Sequence, residues 1–134
     1  MATSLVVYKG ELRTEALHLQ SGEKIITDAP VDNHGKGEAF SPTDLLATSL
    51  GSCMLTIMGI AARERNIDIE GTTCEVTKIM GTSPRRVTEI HISFNFPGRQ
   101  FSDKEKAVLE QSAKTCPVWY SLHPDIQKVV EFKW

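Results

Sequence analysis

One segment governs what this chain can become: "SPTDLLATSLGSCMLTIMGIAARERN", residues 41–66. Ser41 is the expected N-cap, Pro42 suits the first helical position, and the Asp44 carboxylate can answer the cap. From there Leu45, Leu46, Leu50, Met54, Ile57, Met58 and Ala61 recur at helical spacing until "RERN" ends the run. Apolar residues cover most of the circumference, so the helix is expected to be central and covered on several sides. Its upstream half carries Ser49, Ser52 and Thr56 beside Cys53, a narrow stripe of small polar groups on one side. The mostly apolar run from Ala47 to Ala62 falls short of the ~20 residues of a membrane span.

The other elements must cover that helix. Before it, "SLVVY", "TEALHLQ" and "KIIT" read as strands, the last two joined by the "SGE" turn. "DAPVDNHGKGEAF" reads as a polar, glycine-containing loop of a length that is often functional. After the helix, "IEGTTCEVTKIMG" and "RRVTEIHISFNF" are joined by "GTSP". In the second, Ile90, Ile92, Phe94 and Phe96 alternate with polar neighbours, as in a half-buried antiparallel strand. Ser102 and Glu105 form a capping box for a helix running to about Lys114. "TCPVWYSL" restarts a short helix because Pro117 cannot sit in an interior, and "KVVEFKW" closes the chain as a strand. The order βββ-α-ββ-αα-β is an α+β arrangement, expected as one domain over residues 1–134.

The bulk properties narrow the partners. A net charge of -2 without clustered Lys and Arg gives no footprint for nucleic acid. "MATSLVVYKG" lacks a basic stretch followed by a long apolar core, so the expectation is a cytoplasmic protein. Three cysteines without an export signal do not suggest a disulfide framework, and no CxxC pair is present. Cys53, Cys116 and His123 show no metal-ligand spacing, and no metal or organic cofactor is implied.

Each thiol has two readings. Cys53 is an inert packed thiol, or it faces a pocket lined by the polar stripe. Cys116 precedes Pro117 at or next to a helix N-cap, where unpaired N–H groups and the helix dipole can lower its pKa; alternatively Thr115 caps and Cys116 packs. Cys74 shares strand parity with Val76 and reads as a core cysteine.

The stretch "SPTDLLATSLGSCMLTIMGIAARERNIDIEG" resembles the helix of the OsmC/Ohr family, in which a Pro-x-[Glu/Asp]-Leu-Leu opening leads to a cysteine among small residues. "CPVWYSL" resembles that family's second motif. The resemblance covers nearly the whole chain and implies an OsmC-like fold, antiparallel sheets around a long central helix, in an intertwined homodimer with sites at the subunit interface. It implies a thiol peroxidase that reduces organic hydroperoxides and is recycled by a dithiol reductant. Cys53 then matches the peroxidatic cysteine and Cys116 the resolving one. The family's thiolate-holding arginine falls on Arg13, the only Arg before the helix, which otherwise reads as a solvated strand-end residue. Where well-studied hydroperoxide reductases carry Glu, about ten positions before the first Cys, this chain has Thr43; Asp44 is the neighbouring carboxylate. Two other functions fit the same residues: a general disulfide exchanger or redox sensor, and a non-catalytic dimer that binds a small apolar ligand.

Overall fold

The computed structural model describes residues 1–134, which divide into two compact units, Met1–Leu46 and Ala47–Trp134. The fold is α+β with two three-stranded sheets and one long helix.

In the first unit, β1 (Ser4–Gly10), β2 (Arg13–His18) and β3 (Lys24–Asp28) form an antiparallel sheet in sequence order. The β1–β2 connection is tight: Gly10, Glu11 and Leu12 all take positive φ, at 88°, 54° and 64°. For two non-glycine residues in a row this is a strained conformation. Tertiary bonds hold it. The Leu12 N–H donates to the Tyr8 hydroxyl, the Leu12 carbonyl accepts from Ala29 N–H, and Lys36 pairs with Glu11 at 2.7 Å. The strand that leaves this turn begins at Arg13. A loop with a short 3-10 turn at Val31–Asn33 follows β3 and leads to the long helix.

That helix, α1, spans Pro42–Glu64. Its start is as the sequence predicts: the Asp44 N–H donates to Ser41 Oγ, and the Ser41 N–H donates to Asp44 Oδ2, both at 3.0 Å. At 23 residues, with an 18-residue window averaging a hydropathy of 1.8, α1 is long and apolar enough by length and composition to cross a bilayer. The count from Ala47 missed this because the helix begins five residues earlier. Its burial is that of a core helix on one side only. Ala47, Leu50, Gly51, Met54, Met58, Ala61 and Ala62 are buried, while Leu46 and Ile60 stay exposed. Covering on several sides is therefore not met within one chain.

In the second unit, β4 (Thr73–Gly81), β5 (Arg86–Asn95) and β6 (Gln127–Lys133) form a sheet in that order, with α2 (Asp103–Ala113) and α3 (Pro117–Ser121) between β5 and β6. β5 is antiparallel to β4, as expected, but parallel to β6. A parallel partner needs a crossover of a dozen or more residues, and α2 with α3 supplies it. Ile90, Ile92, Phe94 and Phe96 are buried and join Leu50, Met54 and Met58 in one core. Each fully buried Leu, Ile or Met contributes roughly 1.5–3 kcal/mol, an upper estimate. Phe94, Phe96, Phe132 and Trp134 stack at one end of this core, with Trp134 4.1 Å from Phe96 between ring centroids. The capping box on α2 forms as read, with Ser102 and Glu105 bonded reciprocally.

Candidate functional site

Two structural devices place the thiols of the second unit. The first is a close approach of α1 to its sheet. Gly51 sits so near β4 and β5 that a Cβ there would lie 2.8 Å from both Cys74 Sγ and Val76 Cγ2. Glycine is therefore what allows the helix to seat against the sheet, two residues before Cys53. Cys53 itself is half-buried, and Thr56 beyond it bonds back to the Ser52 carbonyl at 2.9 Å.

The second device is the start of α3. Cys116 is the N-cap residue, in extended conformation, with Pro117 next. Its sulfur stands where a Ser or Asp oxygen usually would, accepting the Trp119 N–H at 3.3 Å. Of the two readings of "TCP", the cap belongs to Cys116; Thr115 instead bonds back to the Ser112 carbonyl. The side chain is fully buried.

The fold brings Cys53 and Cys116 near enough for each to act on the other's charge, and both are free. The expected lowering of the Cys116 pKa is reversed. Burial pushes its thiol up, the bonds from the Trp119 and Val118 N–H groups oppose this, and the adjoining Cys53 sulfur adds to the rise. A five-residue helix supplies too little dipole to overcome the desolvation of a fully buried sulfur. Cys74, half-buried beneath Gly51, is pushed up to about 11 by burial alone. It is a packing thiol, as its strand parity implies.

In the first unit, Arg13 is not a solvated strand-end residue. It faces Asp28 directly across the β2–β3 ladder. Its Nε and Nη2 donate to the two carboxylate oxygens of Asp28 at 2.7 and 2.8 Å, the bidentate geometry that arginine favours. Nη2 also reaches Glu38 Oε1 at 3.3 Å, and the Glu38 N–H donates to Asp28 Oδ2 at 3.1 Å. The Asp28 side chain is fully buried, while Arg13 retains 28% exposure. The guanidinium holds the Asp28 carboxyl below its ordinary value, and the carboxylate holds Arg13 firmly charged. Asp44 is engaged in the cap of α1.

Asp28 is the partner of Arg13 that the sequence reading did not name. A signal existed: Arg13 and Asp28 lie equally far from the turn between β2 and β3, so antiparallel register pairs them. No group of three or more His, Cys, Asp or Glu side chains is placed to hold a metal ion. His123 instead accepts the Asp125 N–H at its Nδ1.

An α+β fold of two three-stranded sheets and one long cysteine-bearing helix is the fold of OsmC-like structures. The chain belongs to the OsmC-like protein family, whose model matches residues 35–131. It is similar to a solved structure from Psychrobacter arcticus 273-4, named for osmotic stress induction and a detoxification response. The two share 61% identity and a TM-score of 0.95, over 98% of this chain and 96% of the other. An OsmC-like protein of Vibrio cholerae shares the fold at 15% identity and a TM-score of 0.80, covering 98% and 99% of the two chains. So does an organic hydroperoxide resistance protein OsmC from Legionella pneumophila, at 14% identity and a TM-score of 0.73, covering 100% and 98%. No curated protein matches the chain.

Proposed function

We propose that this protein is a two-cysteine thiol peroxidase acting on organic hydroperoxides, with Cys53 as the peroxidatic and Cys116 as the resolving residue. The observation that carries the reading is the pairing of these two free thiols, remote in sequence, with unequal burial. The more accessible sulfur of Cys53, as thiolate, attacks the O–O bond. The peroxide takes up a proton and leaves as an alcohol, and Cys53 becomes a sulfenic acid. The Cys116 thiol then displaces water from that sulfenic acid, giving a disulfide. A dithiol reductant returns both thiols by exchange and is itself oxidised. The apolar residues of α1 favour an alkyl peroxide over hydrogen peroxide. The working form is a homodimer. Leu5, Val6, Tyr8, Ile25 and Ile26 of the first sheet, with Leu46 and Ile60 of α1, are exposed apolar groups of the kind a second copy would cover. The proposed location is the cytoplasm, where dithiol reductants keep such a pair cycling.

The test is turnover of tert-butyl hydroperoxide with a dithiol. Cys53→Ser is expected to abolish it. Cys116→Ser should permit one reaction per subunit and then stall or over-oxidise at Cys53. Full activity in Cys53→Ser overturns the assignment. A disulfide that cycles without any acceleration of peroxide loss would point instead to a disulfide exchanger.

A further inference from the structure

The Cys116 sulfur holds two positions at once. It is the N-cap of α3, where it accepts the Trp119 N–H at 3.3 Å, and it belongs to the core against which Cys53 packs. The chain holds these two cysteines with unequal firmness. Cys53 rides on α1, which Leu50, Met54 and Met58 anchor, all of them fully buried. α3 is five residues long and none of them is buried; Val118 and Trp119 pack only partly against the core. Besides the sulfur, three bonds close it. The Tyr120 N–H donates to the Cys116 carbonyl at 3.4 Å, the Leu122 N–H to the Val118 carbonyl at 3.1 Å, and the Ser121 hydroxyl to the Pro117 carbonyl at 2.8 Å. A helix this short is marginal, so its cap carries a large share of what keeps it formed.

Two free thiols stand at non-bonded separation, and a disulfide draws them to bonding distance, so at least one sulfur must shift when the pair is oxidised. The less anchored side yields, which is Cys116 with α3. We propose that α3 is a redox latch, fastened in the reduced protein by the Cys116 sulfur and released when that sulfur is withdrawn from its first turn into a disulfide with Cys53. The latch rests on the disulfide pairing within the peroxidase reading, and not on the identity of the oxidant. With a hydroperoxide, the O–O bond breaks and the S–S bond forms, while alcohol and water carry away the two thiol hydrogens. The Trp119 N–H then loses its acceptor. Its indole, which packs against the core with Lys128 Nζ 5.2 Å from the ring centroid, leaves that setting. The oxidised protein thus shows a dithiol reductant a loosened segment, carrying the exposed Tyr120, that the reduced protein keeps closed.

The test uses the full chain with Trp134→Phe, which leaves Trp119 as the single tryptophan. The pair is oxidised with diamide, an azo compound that takes up the two thiol hydrogens, or with tert-butyl hydroperoxide, and is reversed with dithiothreitol. Peptide mapping scores the Cys53–Cys116 crosslink. On crosslinking, Trp119 emission should shift to the red. The Trp119 amide should exchange about fivefold faster, the ratio that loss of an N-cap implies. Dithiothreitol should restore both. Cys116→Ser supplies a hydroxyl cap that forms no disulfide, and Cys53→Ser removes the partner sulfur; both should keep the reduced-state emission and exchange in diamide. Amide exchange in the wild-type chain needs no substitution and carries the test if Trp134→Phe fails to fold. A Cys53–Cys116 crosslink with Trp119 emission and exchange unchanged overturns the latch and leaves the peroxidase reading intact, as does an equal response in either Ser variant. Crosslink and release with diamide, but no reaction with any hydroperoxide, overturns that reading and leaves the latch standing. If no oxidant produces the crosslink, both fall.

Discussion

Two glycines in α1 offer a signed test of how the cysteine-bearing helix is seated. In Gly51→Ala the new methyl group would meet Cys74 Sγ and Val76 Cγ2, each at 2.8 Å, with Ile92 Cδ1 at 3.6 Å. In Gly59→Ala it would meet nothing within 4 Å. Both changes gain helix propensity, about 1 kcal/mol in favour of Ala. Only the first overpacks, at a cost of about 1–3 kcal/mol, because both close neighbours are anchored on β4 and neither is the far end of a long flexible chain. Gly59→Ala should therefore stabilise by about 0.5–1 kcal/mol, and Gly51→Ala should be neutral to destabilising by about 2 kcal/mol. Equilibrium urea unfolding at constant m resolves the gap, about 1 M in midpoint for a chain of this size. Adding Cys74→Ala to Gly51→Ala removes one of the two close contacts and should recover part of the loss, a coupling absent when Cys74→Ala is made alone. Equal stabilisation by both glycine substitutions would refute the close seating of α1 on the sheet.

Two further outcomes follow from the same unit. The native Cys74 thiol, at about 11, lies above its reference value of 9.0, so on raising the pH the unfolded chain loses its proton first. Stability should then decline between about pH 9 and 11. Full conversion of the shift would give about 2.7 kcal/mol, which partial exposure reduces to about 1 kcal/mol. Urea curves at pH 8 and pH 11 should show a steeper decline in wild type than in Cys74→Ala, in which the buried Cys116 thiol still contributes; equal slopes would contradict it. Ser102→Ala removes the side chain that accepts the Glu105 N–H at 3.1 Å, and should lower stability by about 1 kcal/mol in the same assay.

Local chemistry was legible in the sequence, whereas long-range placement was only partly so. Ser41 with Asp44, Ser102 with Glu105, and Pro117 as a helix opener are contacts within a few residues, and each is found as read. The alternation Ile90, Ile92, Phe94, Phe96 likewise identified the inner face of β5. Its parallel partner β6 was not visible, because period-2 patterning reports a buried face and not the direction of a neighbour. The extent of burial around α1 was overread for a related reason: an apolar circumference states what a helix requires, not what one chain supplies. The Arg13–Asp28 pair was missed because the acid was sought on the helix, although the hairpin register would have offered it. The direction of the Cys116 shift was missed because dipole and cap are local, while burial is set by the whole core.

That last reversal bears on the order of steps in the proposed cycle. A cap position alone would argue for an activated thiolate at Cys116, and two activated thiolates side by side would repel each other and compete for the same peroxide. Burial separates them. The fully buried Cys116 keeps its proton at neutral pH, and its sulfur is held by the Trp119 N–H beside Cys53. A protonated thiol is a weak nucleophile toward peroxide, so the proposed cycle gives the first oxidation to the more accessible sulfur of Cys53. In that cycle Cys116 then condenses with the Cys53 sulfenic acid, and forming the disulfide shields Cys53 from further oxidation. On this reading burial is the element that orders the two steps. In the proposed cycle that burial comes from a cysteine serving as the N-cap of α3 and packed in the core of the second unit.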